Sequence, residues 1–174
     1  MIINKQINST IEHDYFFYKG KFKDINAKYL IESIEEGCVA KDNRNFATNI
    51  IGFMTSFTHF NKDKEFLKLM WQLFDVVDRD MPKSQYKLIE SWGLVNGLSH
   101  YTKFHNHQGC YFSGVIYLNK HSQVLEFPEI NEELKPEKGS FAIFSSFLKH
   151  GCSKRNLEEK AKYGISFNCN HVNF

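Results

Sequence analysis

From residue 85 onward the sequence is cut into short runs with no helix between them: QYKLIESWGLV (85–95), HYTKFHNH (100–107), YFSGVIYLN (111–119), VLEF (124–127), GSFAIFSS (139–146) and KYGISFN (162–168). Gly, Asn, Pro or charged residues separate the runs, as they do at strand ends. Parallel strands need long crossover connections, so strands that follow one another this closely predict an antiparallel sandwich or barrel. The economical architecture is mainly β with flanking helices: a double-stranded β-helix, or cupin-like jelly roll, whose two sheets face each other around an open mouth.

The helical signals lie upstream. Residues 24–36, DINAKYLIESIEE, place apolar side chains at Ala27, Leu30, Ile31 and Ile34, with Asp24 as cap and Gly37 as stop. In NKDKEFLKLMWQLFDVVDRDMP, Asn61 is the expected cap, Phe66, Leu67, Met70, Leu73, Phe74 and Val77 form the stripe, and Pro82 ends the helix. These helices come first and are expected to brace one sheet from outside. A length of 174 residues, three prolines, ten glycines and no repeat point to one domain over residues 1–174. Residues 1–82 read as mainly helical support and residues 83–174 as the jelly-roll core. A hydrophobic fraction of 42% with 17 Phe excludes a disordered chain and predicts a core rich in rings.

A formal net charge of +2 gives no polybasic surface, so nucleic acid is not the expected partner. The opening MIINKQINSTIEHDYFF lacks a charged region followed by a long apolar run, and no later segment is apolar enough to cross a bilayer. A cytoplasmic protein without membrane contact is expected. The four cysteines, Cys38, Cys110, Cys152 and Cys169, form no C-x-x-C pair and read as reduced thiols.

Three of the eight histidines fall within HYTKFHNH. His105 and His107 stand two apart on an expected strand, so both imidazoles leave one face and can share a metal ion. His100 reads as a bystander. Alone, H-x-H is more often the pattern of two solvated or hydrogen-bonded histidines. A further histidine, His150, follows a P-x-x-G turn and an aromatic strand in KPEKGSFAIFSSFLKHGCS.

In that order, "ESWGLVNGLSHYTKFHNHQGCYFSGVIYLN" and "LKPEKGSFAIFSSFLKHGCSKRNLEEKAKYGISFN" resemble the catalytic core of the Fe(II)/2-oxoglutarate-dependent dioxygenases, with a more distant likeness to prolyl hydroxylases. The resemblance spans roughly residues 86 to 170. It implies His105 and His150 as iron ligands, with His107 standing where the family usually has a carboxylate. A two-histidine, one-carboxylate site leaves three adjacent positions on the iron, two for 2-oxoglutarate and one for O2. Three neutral histidines keep that arrangement and leave the iron one charge more positive. His107 is thus either the third ligand or a neighbour of the site, with Glu126 or water completing the sphere.

The resemblance also implies a cation for the far carboxylate of 2-oxoglutarate. Lys162 aligns with the residue that usually opens the last core strand, and Lys160 competes for the role. A lysine is a point charge without a fork, so a second donor is needed to orient the carboxylate. Tyr117 matches a tyrosine of prolyl hydroxylases, and Tyr101 is the alternative. Structural readings stand beside these: Tyr117 as a core tyrosine, the lysines as a solvated stretch, Trp92, Phe141, Phe144 and Phe147 as core, and Ser113 with Gly114 as a narrow spot approached by backbone or cosubstrate. Cys110 and Cys152 are minor candidates for a soft metal.

The implied activity is oxidation or hydroxylation of a C–H bond with release of succinate and CO2. The alternatives are a three-histidine cupin-like metalloprotein that does not use 2-oxoglutarate and a non-enzymatic jelly-roll binding module. The substrate, whether small molecule, peptide or protein side chain, is not written in these motifs.

Overall fold

Alternation is clearest in a stretch outside the expected strands. In DYFFYKGK, Tyr15 and Phe17 are buried on one side, while Phe16 and Tyr18 pack on the other. That period of two makes a strand with both faces covered. The computed structural model describes residues 2–10, 14–39, 49–80, 85–153 and 160–172. Their order is β1 (Ile2–Thr10), β2 (Asp14–Lys21), α1 (Ala27–Val39), β3 (Ile50–Ile51), β4 (Phe53–Met54), α2 (Lys64–Asp80), β5 (Tyr86–Asn96), β6 (Tyr101–His105), β7 (Phe112–Tyr117), β8 (Leu125–Phe127), β9 (Glu132–Leu134), β10 (Ser140–Ser145), β11 (His150–Cys152) and β12 (Lys162–His171).

The strands form a seven-stranded sheet, β1-β2-β10-β7-β12-β5-β4, and a five-stranded sheet, β3-β6-β11-β8-β9. Every described pairing is antiparallel. This is the expected mainly β jelly roll with flanking helices. The expected order of elements needs correction, because β1 and β2 precede both helices and β2 pairs with β10 inside the large sheet.

Both faces of the large sheet are buried. On the outer face Phe112, Ile116, Phe141, Ile143, Ile165 and Phe167 join Leu30, Ile34, Phe66, Met70, Leu73 and Val77 of the helices. On the inner face Val115, Tyr117, Ala142 and Phe144 meet Leu125, Phe127, Leu134, Leu148 and Cys152 of the small sheet and its loops. At about 25 cal/mol per Å² of apolar surface removed from water, these two layers supply most of the drive to fold.

The helix boundaries differ from the sequence reading for local reasons. The backbone N–H of Phe66 donates to Asp63 Oδ1 at 2.8 Å, so Asp63 caps α2, while Asn61 Nδ2 donates to Ile89 O at 2.9 Å and ties the preceding turn to β5. Gly37 does not stop α1, which runs on to Val39. A Cβ at Gly37 would lie 2.6 Å from His59 Cε1, so the glycine serves close packing. Gly93 does the same for β5, where a Cβ would meet Ile34 Cγ1 at 2.5 Å. Pro82 lies outside the described residues. Among these residues no helix is long and apolar enough to cross a membrane.

Candidate metal centre

His105 ends β6 and His150 opens β11, and the two are direct partners in the register of the small sheet. Cross-strand partners project to the same face, so the pairing places both rings over the cavity between the sheets. His107 lies beyond the end of β6, where its backbone N–H donates to Ser146 O at 2.8 Å. The strand expected over 100–107 therefore stops at His105, and a backbone anchor brings the third ring in. Ring centroids are 4.5 Å apart for His105–His150, 4.9 Å for His105–His107 and 5.2 Å for His107–His150. One ligand atom from each ring lies within 4.8 Å of the others.

The rings of His105 and His150 are oriented as metal-binding imidazoles require. His105 Nδ1 contacts Lys103 O at 2.8 Å and His150 Nδ1 contacts Leu148 O at 2.9 Å. Each Nδ1–H donates to a carbonyl, which leaves Nε2 with its lone pair free. Burial lowers the pKa of all three from 6.5, reinforced by His105 for the other two, to about 4 for His107 and about 3 for His150. They are neutral at pH 7, the form that binds a metal. Phe144 and Phe127 flank His150 at 4.6 and 5.8 Å, and Trp92 stands 6.2 Å from His107. Glu126 is not in the cluster; its Oε1 accepts the Ser153 N–H at 3.2 Å.

Lys162 lies on the same cavity wall, with Asn96, Leu94 and Trp92 of β5, Gly164 and Ser166 of β12, Tyr117 and the three histidines. Lys162 opens β12 and is 3% exposed. Its Nζ donates to Gln123 O at 3.2 Å and Cys152 Sγ at 3.3 Å, and stands 5.5 Å from the Tyr117 ring centre. No carboxylate among the described residues pairs with it. Ser166 and Lys162 are four residues apart on one strand face, roughly 13 Å along the chain. The ammonium stands against Cys152, two residues along β11 from His150, so imidazoles and ammonium share one cavity.

The remaining candidates divide. Tyr117 lines the cavity, and its hydroxyl is held protonated by burial first and then by the neighbouring Cys152. Tyr101 is half-buried on β6, pairs with Ile51, and is not on the wall; its neighbour Thr102 is. Lys160 is exposed, and its carbonyl faces His121 Nε2 at 3.1 Å. His100 accepts the Gly97 N–H at 3.0 Å, apart from the cluster. At the narrow spot of Gly114 the backbone approach is that of Ala142 O, and the Phe167 ring crowds it further: a Cβ there would stand 2.8 Å from Ala142 O and 2.2 Å from Phe167 Cζ. Cys152, a minor candidate in the sequence, is on the wall, together with Asn96 and Ser166, which the sequence does not single out. The alternation of β5 at 92, 94 and 96 carries the signal for Asn96, but only the β5–β12 register shows what it faces.

No known family profile and no curated relative matches the chain. Solved structures do. A collagen prolyl hydroxylase of Paramecium bursaria Chlorella virus-1, solved with 2-oxoglutarate, superposes with a TM-score of 0.68 at 13% identity, over 90% of this chain and 96% of that one. The fold is that of the 2-oxoglutarate/Fe(II) oxygenases. A Pseudomonas putida prolyl-4-hydroxylase has a TM-score of 0.63 at 12% identity, covering 90% and 93% of the two chains. HygX of Streptomyces hygroscopicus, solved with nickel, 2-oxoglutarate and hygromycin B, has 0.62 at 13% identity, covering 90% and 82%. Identities this low establish the oxygenase fold. The chemistry rests on this chain's own cavity.

Proposed function

We propose that this protein is an Fe(II)- and 2-oxoglutarate-dependent oxygenase with His105, His107 and His150 as metal ligands and Lys162 as partner of the cosubstrate's far carboxylate. The observation that supports it is one cavity joining three neutral imidazoles to a buried ammonium that no described carboxylate neutralises. Fe(II) bound with 2-oxoglutarate supplies O2 activation coupled to conversion of the cosubstrate to succinate and CO2. His105 and His150 present Nε2 because carbonyls hold their Nδ1–H groups. Phe144, Phe127 and Trp92 exclude water around them. Three neutral ligands fit a divalent cation that also binds an anionic chelate, because the chelate supplies the charge a carboxylate ligand would have given.

The missing carboxylate favours a second reading, a three-histidine metalloprotein that does not use 2-oxoglutarate. Anaerobic titration of the protein with Fe(II) and then 2-oxoglutarate separates the two. The oxygenase gives a visible charge-transfer band and, on admission of O2, stoichiometric succinate. Metal binding with neither signal assigns the second reading, and no metal binding assigns a binding module without this chemistry. A small molecule, a peptide and a protein side chain all remain candidate substrates, to be sorted by which of them raises succinate formation.

A further inference from the structure

We propose that Glu90 anchors a cationic group of the substrate, an alkylammonium or guanidinium, beside the histidine cluster. The inference rests on the oxygenase reading above and names a substrate class for it.

Glu90, Asn168, Ser113 and Phe144 are successive register partners across β5, β12, β7 and β10. Register partners share a face, and Phe144 is on the inner one, 4.6 Å from the His150 ring. The row therefore stands at the level of the histidines. Trp92, the next residue of β5 on that face, lies 6.2 Å from His107. Lys162 is six residues from Asn168 along β12, roughly 20 Å of extended strand, so this row is separate from the place assigned to the cosubstrate's far carboxylate. A bulge in β5 opposite Asn168 and Cys169 turns Leu88 to the outer layer, which makes Glu90 the last inward residue of the strand.

Ser113 and Asn168 are 1% and 3% exposed. Ser113 Oγ donates to Asn168 Oδ1 at 2.8 Å, and Asn168 Nδ2 donates to Glu90 Oε2 at 2.9 Å. A carboxylate only accepts, so the relay runs in this direction and fixes both the amide and Glu90. It occupies one carboxylate oxygen. Glu90 Oε1 has no partner, and no Lys or Arg pairs with Glu90, among the described residues. A half-buried carboxylate held in place by a buried relay and left without a counter-charge is suited to a charge-assisted hydrogen bond from a cation.

Trp92 gives a second, independent sign of a missing ligand. It is 4% exposed and lines the cavity, yet its Nε1–H has no acceptor among the described residues. Buried polar groups are nearly always paired. A substrate with a hydrogen-bond acceptor next to its cationic group satisfies Trp92 and Glu90 together.

The test reads Trp92 by fluorescence in the full chain with Trp71→Phe, which removes the other of the two tryptophans, an exposed residue of α2. The protein, loaded anaerobically with Fe(II) and 2-oxoglutarate, is titrated with n-butylamine and with a capped lysine, Nα-acetyl-lysine methylamide; 1-butanol and butyrate are the controls. Both amines are expected to shift the signal saturably at concentrations where the controls do not. Tighter binding of the capped lysine assigns a peptide-borne cation, and tighter binding of n-butylamine a free amine. Glu90→Gln keeps the shape and an acceptor for Asn168, and is expected to weaken the amines about ten- to hundredfold, the range of a hydrogen bond to a charged group. Ser113→Ala frees the relay and is expected to weaken them less. Amines that bind no better than 1-butanol, or equally well to Glu90→Gln, overturn the inference. Admission of O2 separates it from the oxygenase reading. Glu90-dependent amine binding without succinate keeps the cation site and overturns the oxygenase; succinate formation indifferent to amines and to Glu90 does the reverse.

Discussion

His105 and His150 are register partners across β6 and β11, with rings 4.5 Å apart, although 45 residues of sequence separate them. Strand pairing sets that distance, and among the described residues no other His, Cys, Asp or Glu joins the cluster with them and His107. His105→Ala and His150→Ala are each expected to abolish Fe(II) binding. The loss should exceed the roughly 10–100-fold that outer partners of a metal ligand are worth. Calorimetric metal titration of the folded variants, checked by circular dichroism, measures it, and near wild-type affinity in either variant removes that residue from the site.

Lys162 and Lys160 differ by two positions and by burial. Lys162 is inside the cavity, whereas Lys160 is exposed. Lys162→Ala is expected to weaken 2-oxoglutarate at least tenfold, the low end for a hydrogen bond to a charged group, with iron affinity unchanged. Lys160→Ala should leave both affinities as they are. Equal effects would mean that the register assumed for the cosubstrate cation on β12 is wrong.

The acid response follows from the three depressed imidazoles. In the unfolded chain they titrate near 6.5, and in the folded protein His107 and His150 titrate near 4 and 3. Between these values the unfolded state binds more protons, so stability rises with pH. The contribution is fully present above about pH 6.5 and is lost as pH falls towards 3. Metal-free protein is expected to lose on the order of a few kcal/mol between pH 7 and pH 4, read as a falling midpoint of urea unfolding. A midpoint independent of pH over this range contradicts the burial of these rings.

Much of this arrangement is legible in the sequence wherever a pattern is local. The short strands after residue 85 and the two amphipathic helices follow from spacing and residue type, whereas the joining of H-x-H with a distant histidine is what the family resemblance implies. β2 is not legible in the same way because both of its faces are covered, so DYFFYKGK shows an aromatic run where alternation with polar residues is the usual strand signal. The sequence extends β6 to His107 although the strand ends at His105, since the hydrogen bond to Ser146 that anchors His107 is a tertiary contact. Asn96 is not legible for the same reason: its place on the cavity wall follows from its register with Lys162, 66 positions away.

Gly114 tests the packing that supports the cavity. Phe167 is fully buried and its ring edge occupies the space a Cβ would need, with Ala142 O a further 2.8 Å contact. Gly114→Ala must push the ring or the strand, and overpacking of this kind costs about 1–3 kcal/mol. In a chain of this size that corresponds to a drop in melting temperature of roughly 2–4 °C per kcal/mol. Phe167→Leu in the same background is expected to recover part of the loss, because a shorter side chain vacates the contested volume. Additive destabilisation by the two changes would show that the contact is not the cause.

His107→Asp addresses the one position where the cluster departs from a two-histidine, one-carboxylate set. The aspartate brings a negative charge to the place of a neutral ring that burial already disfavours charging. If His107 is a ligand, the variant remains able to hold iron, and the added charge on the metal weakens its attraction for the dianionic 2-oxoglutarate. Iron binding retained together with a shifted charge-transfer band is the expected outcome, measured by the same anaerobic titration. An unaltered band and unaltered 2-oxoglutarate affinity would mean that residue 107 does not touch the metal. His107→Ala supplies the control: loss of iron affinity there, with recovery in His107→Asp, ties the effect to ligation and excludes mere removal of the ring beside Trp92.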